Sequence, residues 1–332
     1  MIPTRESRNE CEVPNGAAEL EAVGQQRLAP VLSELSCWPT RASSHTWMGI
    51  MTNTSATTSP LALTASWTAA VRAMESQRED RLFDDPWAKD LAGESGMSWI
   101  KDKSPESVVP IVLRTRYFDD QLKRIARDFG IRQIVLLGAG LDTRAFRLEW
   151  PAGTRLFELD QTMVLERKES ILREACATPH CERIIVPADL EQEWTDLLVR
   201  AGHCTKEASC WLLEGFLFYL GTDIVTALLA GVSEHSAPDS WLCFDIINGK
   251  MLTSQLTRQW LDMQRASGAP WIGALDDPVD FLESHGWKAT LTQAGQPDAN
   301  HGRWTLPVFP TTHPDMPHNW FVAAHKETPI TG

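Results

Sequence analysis

The chain has only two tyrosines, no Cys-x-x-Cys pair and no run of lysine or arginine. None of its apolar stretches approaches the ~18 residues of a membrane span. Each absence removes a class of function. With 44 acidic against 31 basic residues, a formal charge of -13 and no basic-aromatic ladder, nucleic acid is not an expected partner. The seven cysteines, Cys11, Cys37, Cys176, Cys181, Cys204, Cys210 and Cys243, are odd in number and irregularly spaced. They read as reduced thiols of a cytoplasmic protein rather than a disulfide framework. Cys176, His180 and Cys181 lie close together, but no fourth ligand follows at zinc-site spacing, so no metal is expected. Nothing near the N-terminus pairs a basic segment with an apolar core, so neither secretion nor a membrane partner is expected.

What is present suggests one large domain or two small ones with an ample core, at 332 residues and 43% hydrophobic content. Residues 1 to about 60 are rich in Ser, Thr, Pro, Ala and Glu without sustained periodicity, and Met51 to Pro60 is nearly all small or polar. This reads as a poorly ordered arm, with a short helix conceivable from Ala18 to Leu35. Residues 61–332 then read as a single domain, opening with a helical cap over 61–130. In the cap, Thr64-Ala-Ser66 is an expected helix start, and a further helix is expected from Val109 to Phe129, stopped by Gly130.

From there strand and helix alternate, as in a doubly wound parallel sheet. Strands are expected at Gln133 to Leu137, Arg155 to Leu159, Arg183 to Pro187, Ser209 to Leu213 and Trp241 to Ile247. One helix is expected from a cap at Thr222 or Asp223 through the apolar stripe Ile224, Val225, Leu228, Leu229 and Val232. Towards the end, a helix stops at Gly286, and Ala289 to Thr292 and Trp320 to His325 read as two strands. Between them runs a Pro-rich connection of about 295–318, longer than loops in compact domains usually are.

The first strand ends in Leu137-Gly-Ala-Gly140, and Glu158-Leu-Asp160 ends the second. Glycines just past a buried strand let backbone approach a ligand, and a carboxylate twenty residues after Gly140 is placed to meet ribose hydroxyls. A dinucleotide fingerprint needs a third Gly or Ala where this chain has Thr143, so a pyrophosphate is poorly served. A cofactor with adenosine and ribose but no phosphate fits better, and S-adenosyl-L-methionine is the common one.

Seven segments in order carry a resemblance. They are Thr68 to Ala73, Asp85-Pro86, Leu113-Arg-Thr-Arg-Tyr-Phe-Asp-Asp120, Leu137 to Arg144, Phe157-Glu-Leu-Asp-Gln161, Ala188-Asp-Leu190 and Leu213-Glu-Gly-Phe-Leu-Phe-Tyr-Leu220. Together they resemble the leucine carboxyl methyltransferase family over about Thr64 to Lys326, and more closely its bacterial and fungal small-molecule branch. The fold this implies is α/β: the Rossmann-like class I methyltransferase, a seven-stranded mostly parallel sheet with helices on both faces and an antiparallel last strand.

The resemblance also implies a site for S-adenosyl-L-methionine. It puts Gly138 under the methionine part, with Ala139 and Gly140 in the same loop, and Asp160 on the ribose with Gln161 beside it. Asp189 and Leu190 bracket the adenine, Glu214 reaches the methionine ammonium and Arg114 its carboxylate. Arg72 stands near a family lysine on the first helix. Arg114, Arg116 and Tyr219 are the residues expected to hold the substrate. Each has a plainer reading: the two arginines as solvated helix charges, the tyrosine as a core aromatic with a satisfied hydroxyl.

Methyl transfer is an in-line displacement that asks for alignment and exclusion of water. A carboxylate acceptor is ionised at neutral pH and needs no base, whereas a hydroxyl usually does. His301, His313 and Tyr117 are unranked candidates for such a base. The leading expectation is an O-methyltransferase of a small, polyketide-like organic acid. A hydroxyl-directed methyltransferase of a secondary metabolite, and a cofactor-retaining binding or cyclisation protein on the same fold, remain alternatives.

Overall fold

The computed structural model describes residues 60–328, apart from 102, 309, 312 and 314. The expected arm, its conceivable helix at Ala18 to Leu35, and Cys11 and Cys37 lie outside the described residues. Three helices, α1 (Pro60–Ser76), α2 (Ala88–Lys101) and α3 (Pro105–Asp128), precede the first strand. Thr64-Ala-Ser66 does not start α1, which is already helical at Pro60, a residue whose fixed φ suits the first turn of a helix. α3 starts at Pro105 rather than Val109. Ser104 accepts the Ser107 N–H at 3.3 Å, and Pro105 takes a first-turn position whose N–H has no helical partner.

The sheet follows as β1 (Gln133–Leu137), β2 (Arg155–Asp160), β3 (Glu182–Pro187), β4 (Ser209–Leu213), β5 (Trp241–Ile247), β6 (Trp287–Thr292) and β7 (Asn319–Lys326). Between the strands lie α4 (Arg144–Arg147), α5 (Thr162–Glu174), α6 (Thr195–Arg200), α7 (Thr222–Glu234), α8 (Gly249–Thr253), α9 (Arg258–Ala266) and α10 (Pro278–Glu283). The cap of α7 is Gly221, not Thr222 or Asp223. Gly221 is extended and supplies the entry, while the Thr222 hydroxyl turns to the Ala274 carbonyl. The strand order is β3-β2-β1-β4-β5-β7-β6, with β7 antiparallel to both neighbours and the other pairs parallel. This is the α/β Rossmann-like fold that the sequence implies.

Alternation along β1 shows how the sheet divides the core. Ile134 and Leu136 face a cluster with Ala69, Leu91, Phe118 and Leu122 of the cap helices, whereas Val135 and Leu137 face Trp211, Val225 and Leu229. A strand buried on both faces reads as a nearly continuous apolar run, and β1 is apolar from Ile134 to Leu137, with Gln133 at its entry donating to the Cys204 carbonyl. The cap is thereby fixed to one face of the sheet, with Arg114 and Thr115 of α3 reaching Glu214 just past the end of β4.

Candidate active site

The carboxyl ends of β1 to β4 open into one cavity of about 510 Å³, at the edge where open α/β sheets bind ligands. Its loop end is made of turns after the strands. Gly138 has φ +67°, and a Cβ there would lie 2.7 Å from the Phe216 ring, so only glycine lets main chain line the cavity at this point. Ala139 and Gly140 line it too. Asp160 braces the turn from β2: Oδ2 accepts the Gly140 N–H and Oδ1 the Gln161 N–H, each at 2.7 Å. One bond per oxygen leaves acceptor capacity on both. Burial pushes the Asp160 carboxyl up, against those two N–H groups. Gln161, Asp189 and Leu190 line the same end.

Thr143 has its own task. Its hydroxyl donates to Asp85 Oδ2 at 2.6 Å, and Arg72 Nε reaches the same oxygen at 2.8 Å. Arg72 also donates to the Leu141 carbonyl at 2.6 Å, so the turn after β1 is tied to the cap. The helix that follows, α4, is only four residues long and offers little aligned dipole for a pyrophosphate.

Behind the turn lies a buried ion-pair network. Glu214, just past β4, meets Arg114 Nε at 3.0 Å through Oε1 and Arg144 Nη2 at 2.6 Å through Oε2. Arg114 continues to Asp245 of β5 at 3.0 Å, and Asp245 also accepts the Gly215 N–H at 2.6 Å. Gly215, at φ +67°, leaves room for that guanidinium, which a Cβ would meet at 2.8 Å. Arg144 pairs with Asp119 at 2.7 Å and with Asp142, and Arg147 pairs with Asp119 at 2.5 Å. Burial alone would raise Glu214, but Arg144 and Arg114 outweigh it and hold the carboxyl below its usual range. Asp142 is likewise held at about 2: burial would raise it, but Arg144, Lys168 and Arg147 together outweigh that cost.

The aromatic end is built from residues far apart in the chain. Phe218 packs on Trp271 at 4.3 Å between ring centroids, Trp260 meets Trp271 edge-on at 5.5 Å, and Trp67 of α1 stacks on Trp99 of α2 at 5.0 Å. Tyr219, in the one-turn helix Leu217–Tyr219, lines the cavity against Phe218, at 4.9 Å between ring centroids. Burial raises its pKa, so it stays protonated. Part of the 293–318 connection, from Trp304 to Val308, forms a further wall.

The structure thus brings Arg72, Arg114, Gly138, Ala139, Gly140, Asp160, Gln161, Asp189, Leu190, Glu214 and Tyr219 to one cavity. Arg116 is not there: Nε bonds Asp120 at 2.7 Å and Nη1 the Leu82 carbonyl at 2.5 Å. Residues two apart on a helix do not share a side, so only one of the pair can face the cavity. The three base candidates are also off the wall. Tyr117 is buried between Phe118 and Phe321, its pKa pushed up to about 12 by burial, and His301 and His313 do not line the cavity. Among the described residues no His, Lys or Cys lines it.

Sequence reasoning assigned no role to Arg144, Asp119 or Asp245. A lone carboxylate inside the apolar strand Trp241–Ile247 was a usable signal, because such a group needs a buried partner. Among the described residues, no helix is long and apolar enough to cross a membrane.

Comparison with known proteins bears on this geometry. The sequence model of a family described as leucine carboxyl methyltransferase matches residues 65–233. A Streptomyces coelicolor protein named as an S-adenosyl-L-methionine-dependent methyltransferase is 39% identical over 282 residues, covering 79% of this chain and 95% of that one. A Frankia alni protein named in the same way is 42% identical over 240 residues, covering 68% and 82%. In fold, the chain is similar to a crystal structure of a DUF574 family protein from Streptomyces avermitilis, with a TM-score of 0.52 at 14% identity over 81% of this chain and all of that one.

Proposed function

Since the chain belongs to the leucine carboxyl methyltransferase family and is an S-adenosyl-L-methionine-dependent methyltransferase, we propose that it forms a methyl ester on a small organic acid of polyketide-like character. The observation that carries this reading is which side chains meet the cavity: among the described residues no His, Lys or Cys lines it, and the groups there that could take a proton are carboxylates, Glu106, Asp189 and Glu191 among them, a class of weak base at neutral pH. Tyr219 is kept protonated by burial, and Glu214 is held ionised by two guanidiniums. A hydroxyl acceptor would need its proton removed, whereas a carboxylate arrives without one.

The loop end fits the cofactor. Gly138 admits no Cβ, and Asp160 keeps acceptor capacity for the two ribose hydroxyls. Asp189 and Leu190 would flank the adenine. Arg114 and Arg72 would face the methionine carboxylate, and the remaining lone pair of Glu214 its ammonium. When bound, the cofactor supplies an electrophilic methyl group whose bond to sulfur breaks with the electron pair staying on sulfur, as an acceptor oxygen forms the new bond. The protein's own part is to hold the acid in line and exclude water. Tyr219 would donate a hydrogen bond to the acid, and the aromatic walls would enclose its carbon frame.

The test is chemical. Products from a panel of organic acids should gain one methyl group and return the starting acid on mild alkaline hydrolysis. The rate should be nearly flat from about pH 6 to 8.5, because an acid with a reference pKa near 4 is ionised throughout that range. A methyl group that survives alkali as an ether or a carbon-bound methyl overturns the reading.

A further inference from the structure

The helix α9 turns an unusual residue towards the cavity. Thr257, Trp260 and Gln264 line it from one stripe of the helix, while Arg258, Asp262 and Arg265 lie outside the lining. Trp260 belongs to the aromatic wall through its contact with Trp271. Gln264 sits one turn further on, is 6% exposed, and its Oε1 is buried with no hydrogen-bond partner in the protein. A buried amide oxygen is normally satisfied. The Thr257 hydroxyl, on the same stripe, is already committed to the Met251 and Ser254 carbonyls at 2.6 and 3.1 Å.

An unsatisfied amide oxygen on this wall is costly to keep unless a ligand completes it. A Leu or Met at this position would complete the wall without that cost. We infer that Gln264 is a specificity-determining residue that pairs with a second polar group of the acceptor, a hydroxyl or N–H carried away from the carboxylate that receives the methyl group. The inference rests on the carboxyl reading for which end of the acceptor is methylated, but not for the pairing itself. Oxygen and nitrogen of an amide are interchangeable by a half-turn, so a carbonyl on the acceptor would be met by the NH2 group instead. In either orientation, an acid of the same shape without the second polar group leaves the amide unpaired. Sites built to bond a substrate hydroxyl reject analogues that lack it.

The experiment uses matched aryl acids that differ only by one ring hydroxyl, with the hydroxyl moved around the ring from member to member, on the wild type, Gln264→Leu and Gln264→Glu. Binding is read on the full-length protein saturated with S-adenosylhomocysteine, from quenching of its tryptophan fluorescence, and turnover is read from methyl gain by mass spectrometry. For at least one hydroxyl position the wild type should favour the hydroxylated acid by about tenfold or more. Gln264→Leu should erase that preference by weakening the hydroxylated member, leaving its unsubstituted partner unchanged or tighter. Gln264→Glu keeps an acceptor oxygen and should retain part of it. The melting temperature of Gln264→Leu should not fall, since the variant removes an unpaired polar atom. Absence of any hydroxyl preference in the wild type, or equal weakening of both members of the pair by Gln264→Leu, overturns the inference. Whether the product is an ester is read separately by its lability to alkali, so the carboxyl reading can fail while the preference assigned to Gln264 stands.

Discussion

Each of the four arginines that line the cavity already meets a carboxylate of the protein: Arg72 with Asp85, Arg114 with Glu214 and Asp245, Arg144 with Asp119, Arg147 with Asp119. At the aromatic end the buried amide oxygen of Gln264 meets nothing. One end is tied together by ion pairs, and the other carries uncharged polar atoms with no partner, Trp271 and Trp304 Nε1 as well as Gln264 Oε1. The difference follows what each end would bind. A cofactor of fixed structure can be served by a preorganised loop whose charges also hold the fold together. An acceptor is recognised by groups held ready for it, and those can change without disturbing the sheet. Damage to the loop end should therefore register as lost stability or cofactor affinity, and damage to the aromatic end as lost selectivity or turnover.

The sharpest way to break that comparison is Arg144→Met. Arg144 is 1% exposed and its removal strands Asp119, Asp142 and Glu214 without their shared cation. Breaking a buried pair from one side costs about 3–5 kcal/mol, to be measured by urea unfolding. A loss within experimental error would mean that the network is not part of the stabilising core. Next in size is Asp160→Ala. It should leave a folded protein that binds S-adenosyl-L-methionine more weakly by up to about 1.5–3 kcal/mol for each ribose hydrogen bond lost, while releasing the Gly140 and Gln161 N–H groups. Calorimetric titration showing wild-type affinity would remove Asp160 from the site.

At the aromatic end, Tyr219→Phe deletes one hydroxyl from the cavity wall. The expected cost is about 0.5–1.5 kcal/mol in kcat/KM for the acid, with cofactor affinity unchanged. A variant that loses cofactor affinity instead would place Tyr219 at the other end of the cavity. The smallest expected effect is none at all. We propose that residues from 61 onwards make one domain with the preceding arm outside it, so a chain beginning at Met51 should keep the melting temperature of the full chain. A substantial fall would show that the arm packs on the body of the fold.

How much of this the sequence disclosed also differs between the two ends. The loop end is written in contiguous segments, because a strand, its glycine turn and the next strand's carboxylate are close in the chain as well as in space. Gly138, Gly140, Asp160 and Glu214 could be read for that reason, and the strand bounds fell within two residues of those observed. Helix starts were less legible. At Pro105 and Pro60 the chain enters helix earlier than the apolar spacing implies, since capping and tertiary packing set the boundary. Arg116 falls outside the cavity because residues two apart on α3 face different sides, which a linear motif does not encode. The aromatic end has no local signature: Trp67, Trp260, Trp271 and Trp304 come from four separate segments, and only the folded chain brings them to one wall.

The position of β7 has a consequence for synthesis and turnover of the chain. Although last in sequence among the described strands, β7 lies inside the sheet, bonded to β5 on one side and β6 on the other. Until residue 326 has left the ribosome, the sheet is two pieces with a strand-wide gap. A nascent or clipped polypeptide ending before Asn319 would present two unpaired edges facing each other, each a template for a strand from another molecule. Loss of β7, residues 319–326, should thus be far more harmful than loss of residues 1–50, because it removes the strand that closes the sheet.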